Sequence, residues 1–234
     1  MPNQGPGRPP RPFPRSILAG PTLDAARALL GARLVREPDE DGDARRVGRI
    51  VEVEAYIGEE DRASHARMGP TARNRVMFGP PAVAYVYLVY GMHHCLNVVT
   101  EPVPRPAAVL IRAVEPLEGI DAMRVARDAA STRPRTHARR PGAPARARAH
   151  AADERLAAGP GLVAAAFSID RSHTGLDLCD PASPLRLEAA PEGEPSPDAV
   201  ATPRIGIAYA GEPWASVPWR LIDPRSPSLS GRVR

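Results

Sequence analysis

Two glutamates, Glu52 and Glu54, stand two residues apart in the run Arg49-Ile50-Val51-Glu52-Val53-Glu54-Ala55-Tyr56. In an extended chain such side chains share a face, and Tyr56 joins them. The carboxylates would then lie roughly 7 Å apart, a separation suited to an acid/base pair of the inverting glycosidase kind. The same pattern also fits a strand that presents ordinary glutamates to water. Tyrosine is the second signal. Only 4% of the chain is aromatic, yet Tyr56, Tyr85, Tyr87 and Tyr90 gather in two segments. Flat side chains on two sides of a pocket are what stacking an extruded base requires; a strand that simply favours tyrosine is the alternative. His65, His93, His94 and Cys95 invite a metal reading, but adjacent His-His-Cys lacks ligand spacing, and no Cys-x-x-Cys or His-x-Glu accompanies it. No metal is therefore expected. Arg73, Arg75 and Arg112 are candidates for phosphate, which guanidinium meets as a fork.

Composition narrows the chemistry. The 234 residues are 43% apolar, enough for a sizeable core, and carry a formal net charge of +4. A pI near 9.6 suits a polyanionic partner without proving one. All 31 basic residues are arginine. The missing lysine argues against a phosphate-binding P-loop and against Schiff-base catalysis. No apolar run of about 18 residues suggests a membrane span, and the Pro/Arg-rich start is not a secretory signal. Two cysteines, Cys95 and Cys179, make no disulfide framework, so an intracellular, reducing compartment is expected.

The elements that must position these residues follow from periodicity. Residues 1–15 read as a disordered leader. Thr22 is placed as the N-cap of a helix with Leu23, Ala26 and Leu30 at helical spacing, closed by Gly31. Strands are expected at Leu34–Arg36, Val47–Tyr56, Ala82–Tyr90, Cys95–Thr100 and Ala107–Ala113, with a turn at Gly91-Met92-His93. Gly58–Pro81 reads as a long loop. Pro116–Ala130 reads as a helix with Ile120 and Met123 inward. The Arg-rich, acid-free segment 131–150 reads as a basic, mobile insert, either a solvated linker or a DNA-tracking arm. A short helix at Leu162–Phe167 follows, then strands at Leu185–Leu187, Arg204–Tyr209 and Trp219–Ile222. There is no internal repeat, and the pattern predicts a single α+β domain over 16–230 built on antiparallel strands.

Taken together, several motifs closely resemble the alkyladenine (3-methyladenine) DNA glycosylase family: the run ending in Glu54-Ala55-Tyr56, Asp61 and His65, Arg73-Asn74-Arg75-Val76-Met77-Phe78, Ala84 to Met92, Asn97, Leu110 to Pro116, Gly159-Pro160-Gly161, Arg204-Ile205-Gly206-Ile207 and Pro218-Trp219-Arg220. The resemblance runs from about Ile17 to Ser230. It implies a curved antiparallel sheet with flanking helices and a protruding β-hairpin. It implies that Glu54 is the general base for water, with Arg112 holding the flipped nucleotide's backbone and the water. Tyr56, His65 and Tyr87 would clamp the base, and Asn97 would form the pocket floor. Tyr90 would be the wedge in the minor groove, with Met92 beside it and Arg73 and Arg75 on DNA. Glu52 becomes a bystander or supporting residue. The implied activity is monofunctional excision of alkylated or deaminated purines by a monomer that needs no cofactor. Its partner is duplex DNA containing damaged purines; no membrane is involved. Leu162 departs from the family, which often has lysine there. Two rivals stay open: a lesion-binding protein without catalysis, and a carbohydrate hydrolase using both glutamates and tryptophan platforms.

Overall fold

The structure, a computed structural model, describes residues 11–38, 44–132 and 152–231. The first ten residues of the expected leader and residues 133–150 of the expected insert lie outside the described residues. Eight strands among these residues form one antiparallel sheet: β1 (Arg33–Arg36), β2 (Arg46–Ile57), β3 (Ala84–Val89), β4 (His93–Val99), β5 (Ala107–Glu118), β6 (Leu185–Glu188), β7 (Val200–Thr202) and β8 (Arg220–Ile222). Their order is β3-β4-β5-β2-β1-β6, with β8 paired to β2 and β7 to β8. Among the described residues four α-helices accompany them: α1 (Arg15–Leu18), α2 (Thr22–Leu29), α3 (Ile120–Thr132) and α4 (Pro160–Ala166). The α+β class expected from sequence is the observed one.

The two-residue period of each strand sorts its side chains between two faces. Ala84 and Val86 of β3, Leu96 and Val98 of β4, Val109 and Ile111 of β5, and Val53 and Ala55 of β2 enter the main core. There they meet Ala25, Ala26 and Leu29 of α2 and Val163, Ala164 and Ala166 of α4. Fully burying a side chain such as Leu96 contributes roughly 1.5–3 kcal/mol. The alternate residues are Tyr85 and Tyr87, Asn97, Ala108 and Arg112, and Glu52, Glu54 and Tyr56. They lie on the opposite face, where Tyr85 and Ala108 join a second cluster with Met77, Ala66 and Val99. The functional candidates thus share one face because the core takes the other.

Strand β2 divides one of its edges between two partners. Residues 46–49 pair with β1, while Glu52, Val53 and Glu54 pair with Ile222, Leu221 and Arg220 of β8. Its other edge pairs with β5 along its length. Glu52 and Glu54 are consequently buried, not displayed to water.

Several local expectations change. The leader ends earlier than residue 15, because Phe13 is buried and its N–H donates to Leu187 O at 3.0 Å. Pro21, not Thr22, occupies the N-cap of α2. The Thr22 hydroxyl instead meets Thr100 Oγ1 at 3.0 Å and donates to Glu101, pinning the helix to the chain after β4. Residues 116–118 remain in β5, where Pro116 and Glu118 oppose Gly48 and Val47. Helix α3 starts only after Gly119, whose φ of 74° reverses the chain. No strand forms at 204–209. Arg204 is drawn into a buried ion pair, Gly206 takes a φ of 79°, and Ala208–Ala210 make a 3₁₀ turn. Among the described residues, no helix is long and apolar enough to cross a membrane.

Candidate active site

Paired register shifts place the charged centre. Ile50 opposes Val114 and Glu52 opposes Ala113, which leaves Val51 unmatched; Val53 then opposes Ile111, which leaves Arg112 unmatched. Such irregularities re-aim side chains. Arg112 Nε donates to Glu52 Oε1 at 2.8 Å, and Nη1 lies 3.2 Å from Glu54 Oε2. The two glutamates differ sharply in their remaining partners. Glu52 also accepts from Arg220 Nε at 2.8 Å, and from the backbone N–H and hydroxyl of Ser230 at 2.7 Å each. Burial alone would raise its pKa, but Arg112, Ser230 and Arg220 outweigh this and hold it below the ordinary carboxylate value. Surrounded by donors, Glu52 is an ionised structural anchor rather than a proton donor, so the two-carboxylate pair weighed from the spacing is not what forms. Glu54 Oε1 accepts from Ile205 N–H at 2.7 Å, and Oε2 from the Tyr56 hydroxyl at 2.8 Å.

Beside Glu54 lies a narrow cavity of about 60 Å³ lined by Tyr56, His65, Tyr85, Tyr87, Asn97 and Tyr209, with Ala63, Met77 and Ala108 completing it. Four of the chain's five tyrosines line this one space, and the fifth, Tyr90, tips the adjoining hairpin. His65, Tyr85 and Tyr87 form a contacting wall. His65 stands edge-on to Tyr87 at 4.3 Å, and Tyr85 lies 5.5 Å from Tyr87. Asn97 is buried and donates its amide to Tyr85 O at 3.1 Å. Desolvation first, then Arg73 and Arg67, lower the His65 pKa to about 4, although one edge of the residue stays exposed at the rim. Histidine there is neutral at physiological pH. Burial and the neighbouring Glu54 carboxylate push Tyr56 well above its ordinary value, so it remains a hydroxyl donor.

The tip of the β3–β4 hairpin is solvent-facing. Val89 pairs with His93, leaving Tyr90, Gly91 and Met92 between them. Tyr90 is 82% exposed with a φ of 50°, and Met92 is 45% exposed. A bulky residue in the left-handed region costs on the order of 1–2 kcal/mol, and such strain concentrates at functional sites. At the hairpin base, Gly161 of α4 lets His93 approach closely; a Cβ there would fall 3.0 Å from that of His93. His93 and Cys95 point to one side of β4 and His94 to the other, so these neighbours do not converge. A wider cleft of about 370 Å³ shares Ala63, His65 and Tyr209 with the narrow cavity and is also lined by Arg67, Met68 and Arg73. Arg75 is exposed at the start of the Arg75–Phe78 turn.

Sequence reasoning singled out Asp61 and Arg204 only as motif letters and missed Tyr209 and Ser230. Arg204 and Asp61 are fully buried and paired through both nitrogens, at 2.6 and 2.9 Å. The Arg204 guanidinium lies 4.7 Å from the centre of the Tyr56 ring and 5.1 Å from that of Trp219, and donates to Ala55 O at 2.9 Å. The Asp61 carboxylate accepts from Ala63 N–H. One ion pair therefore joins β2, the loop that carries His65, and the segment whose Ile205 N–H orients Glu54. Tyr209 hangs from that same segment with its hydroxyl on Ala63 O at 3.3 Å. A tyrosine in a chain this poor in aromatics was the available signal. Trp214 and Trp219 pack on each other at 5.7 Å and do not line the cavity, which removes the sugar platform a carbohydrate hydrolase would need.

The chain matches the family described as methylpurine-DNA glycosylase over residues 16–227. It is 49% identical over 222 residues to a protein of Methanocella arvoryzae named "Putative 3-methyladenine DNA glycosylase", covering 94% of this chain and 96% of that protein. Proteins of the same name from Myxococcus xanthus and Bacillus cytotoxicus are 46% and 39% identical, covering 89% and 93% of this chain and 88% and 98% of theirs.

Proposed function

We propose that this chain, which belongs to the methylpurine-DNA glycosylase family, is a hydrolase of N-glycosyl bonds that flips alkylated or deaminated purines out of duplex DNA. The observation that carries this reading is the placement of Glu54. Its carboxylate is held by Ile205 N–H, the Tyr56 hydroxyl and Arg112 beside a cavity walled by tyrosines and His65.

A base within the stack hides its glycosidic bond, so it must be extruded, at a cost of a few kcal/mol that is lower for damaged pairs. Tyr56, His65 and Tyr87 then clamp the base, and Asn97 meets its edge. Tyr90, with Met92 beside it, fills the gap left in the duplex, while Arg73 and Arg75 contact phosphates. Glu54 takes the proton of a water whose oxygen bonds to C1′. The C1′–N bond breaks with its electron pair leaving on the purine, and Arg112 holds carboxylate and water in register. The products are free base and an abasic site. The absence of lysine argues for a monofunctional enzyme, since strand cleavage by this class of chemistry runs through an amine Schiff base. The protein acts as a monomer within the cell, on double-stranded DNA.

The test is base release from duplexes containing hypoxanthine, ethenoadenine or 3-methyladenine, comparing wild type with Glu54→Gln. Wild type should release at least one of these bases and Glu54→Gln should be slower by two orders of magnitude or more. Equal rates would remove Glu54 as the base. Borohydride should trap no covalent adduct with DNA; a trapped adduct would overturn the monofunctional reading.

A further inference from the structure

Two of the rings that line the narrow cavity, Tyr56 and Tyr87, already carry an arginine. The Arg73 guanidinium lies over Tyr87, 5.3 Å from its centroid, and that of Arg204 lies over Tyr56 at 4.7 Å. Tyr56 and Tyr87 line the narrow cavity and neither arginine is among its lining residues, so each guanidinium acts on the space a base would enter through a ring that borders it. The two cations differ in compensation. Arg204 is matched by Asp61, and Arg112, near Glu54, is matched by both glutamates. Arg73 makes no ion pair among the described residues; it donates to Leu88 O at 3.3 Å, which fixes it beside the ring. Arg67, whose guanidinium lies over Tyr209 at 5.8 Å, likewise lacks a carboxylate partner there. The wider cleft holds both of these arginines and no acid.

An aromatic ring attracts a cation through the negative potential of its face. A ring already polarised by a guanidinium has less attraction to offer a second cation on its other side, and the two like charges also repel. We propose that Arg73 is a specificity-determining residue that, through Tyr87, tunes this cavity toward neutral damaged purines over cationic ones. The proposal rests on the reading of the cavity as the base pocket. Its chemistry favours the same substrates twice. A cationic base such as 7-methylguanine is bound less tightly. A neutral base such as hypoxanthine departs with the electron pair of the C1′–N bond, and the developing negative charge is stabilised by fixed positive charge nearby. The lowered His65 pKa, to which Arg73 and Arg67 both contribute after burial, reports the same positive potential at the cavity wall.

Arg73 is exposed, so its substitution leaves the core intact. The experiment compares kcat/KM for duplexes containing hypoxanthine or 7-methylguanine in wild type, Arg73→Gln and Arg73→Lys. Glutamine keeps a polar side chain without the charge, while lysine keeps the charge. The hypoxanthine-to-7-methylguanine ratio should fall roughly threefold to tenfold in Arg73→Gln, the range expected for loss of a partly exposed cation over a ring. Arg73→Lys should hold the ratio within about twofold of wild type. Equal losses on both lesions in Arg73→Gln would mean that Arg73 only contacts phosphate, and would overturn the proposal. So would an unchanged ratio, or a Lys variant that shifts as far as Gln. If wild type releases neither base while folded, the base-pocket reading fails as well, which separates the two failures.

Discussion

Replacing Glu52 by glutamine separates support of the site from its chemistry. The carboxylate is fully buried and accepts from Arg112, Arg220 and both donors of Ser230. Glutamine keeps one acceptor oxygen but places an amide N–H against donors and leaves Arg220 without the one carboxylate it meets among the described residues. Removing one partner of a buried ion pair costs about 3–5 kcal/mol. For a domain of this size about 1 kcal/mol moves Tm by roughly 2–4 °C, so Glu52→Gln should melt roughly 6–20 °C below wild type near pH 7. The sign of the pH effect is fixed by the depressed folded pKa. Glu52 contributes stability above the ordinary glutamate pKa, and that contribution is lost as pH falls through the lower folded value. The melting gap between wild type and Glu52→Gln should therefore narrow in strong acid. Calorimetry or far-UV circular dichroism from pH 3 to 7 reads both quantities. A variant melting within about 2 °C of wild type at pH 7 would refute the anchoring role.

Three further outcomes are expected. Tyr90→Ala should fold normally and lose about 1–3 kcal/mol of lesion capture, measured as a larger loss of affinity for damaged than for undamaged duplex; equal losses would exclude a wedge. Gly119→Ala would put a methyl group 2.2 Å from Arg45 O at a φ of 74°; thermal melting should fall by about 5–15 °C, from strain and overpacking together, and an unshifted melt would contradict the tight turn. His65 has a folded pKa of about 4, below its unfolded value, so the unfolded chain takes up the proton first as pH drops. Stability should decline between pH 6.5 and about 4 and then level off. Denaturant titrations at several pH values should show a shallower decline in His65→Gln, and identical slopes would contradict a depressed His65.

The sheet was readable because β2–β5 carry apolar and aromatic residues at a two-residue period. What that period concealed is burial of both faces. Read alone, Glu52 and Glu54 look solvent-facing, yet segments 203–210 and 223–230 cover them from more than 140 positions away, and no local pattern records such coverage. The family motifs pointed to Glu54, Tyr56, His65, Tyr87, Asn97 and Arg112, and the structure gathers all six around one centre. Their proposed roles await the experiments above. Tyr209 and Ser230 escaped notice because one sits in a stretch misread as a strand and the other beyond the last strand. The Arg204–Asp61 pair was invisible because pairing of distant charges leaves no periodic trace. Helix α3 was misjudged at its start because ladder bonding carried residues 116–118 into the sheet despite Pro116.

The divided edge of β2 has a consequence for synthesis. Glu54 leaves the ribosome early, but the groups that orient it and Glu52 lie 151, 168 and 178 residues later, at Ile205, Arg220 and Ser230. A growing chain can assemble its hairpins and much of its core while these carboxylates still lack their final partners, since domains begin folding from the N-terminal side. A chain halted before residue 204 therefore carries Tyr56, His65 and Tyr87 and can meet Glu54 with Tyr56 and Arg112, but it lacks the Ile205 N–H that holds the other carboxylate oxygen.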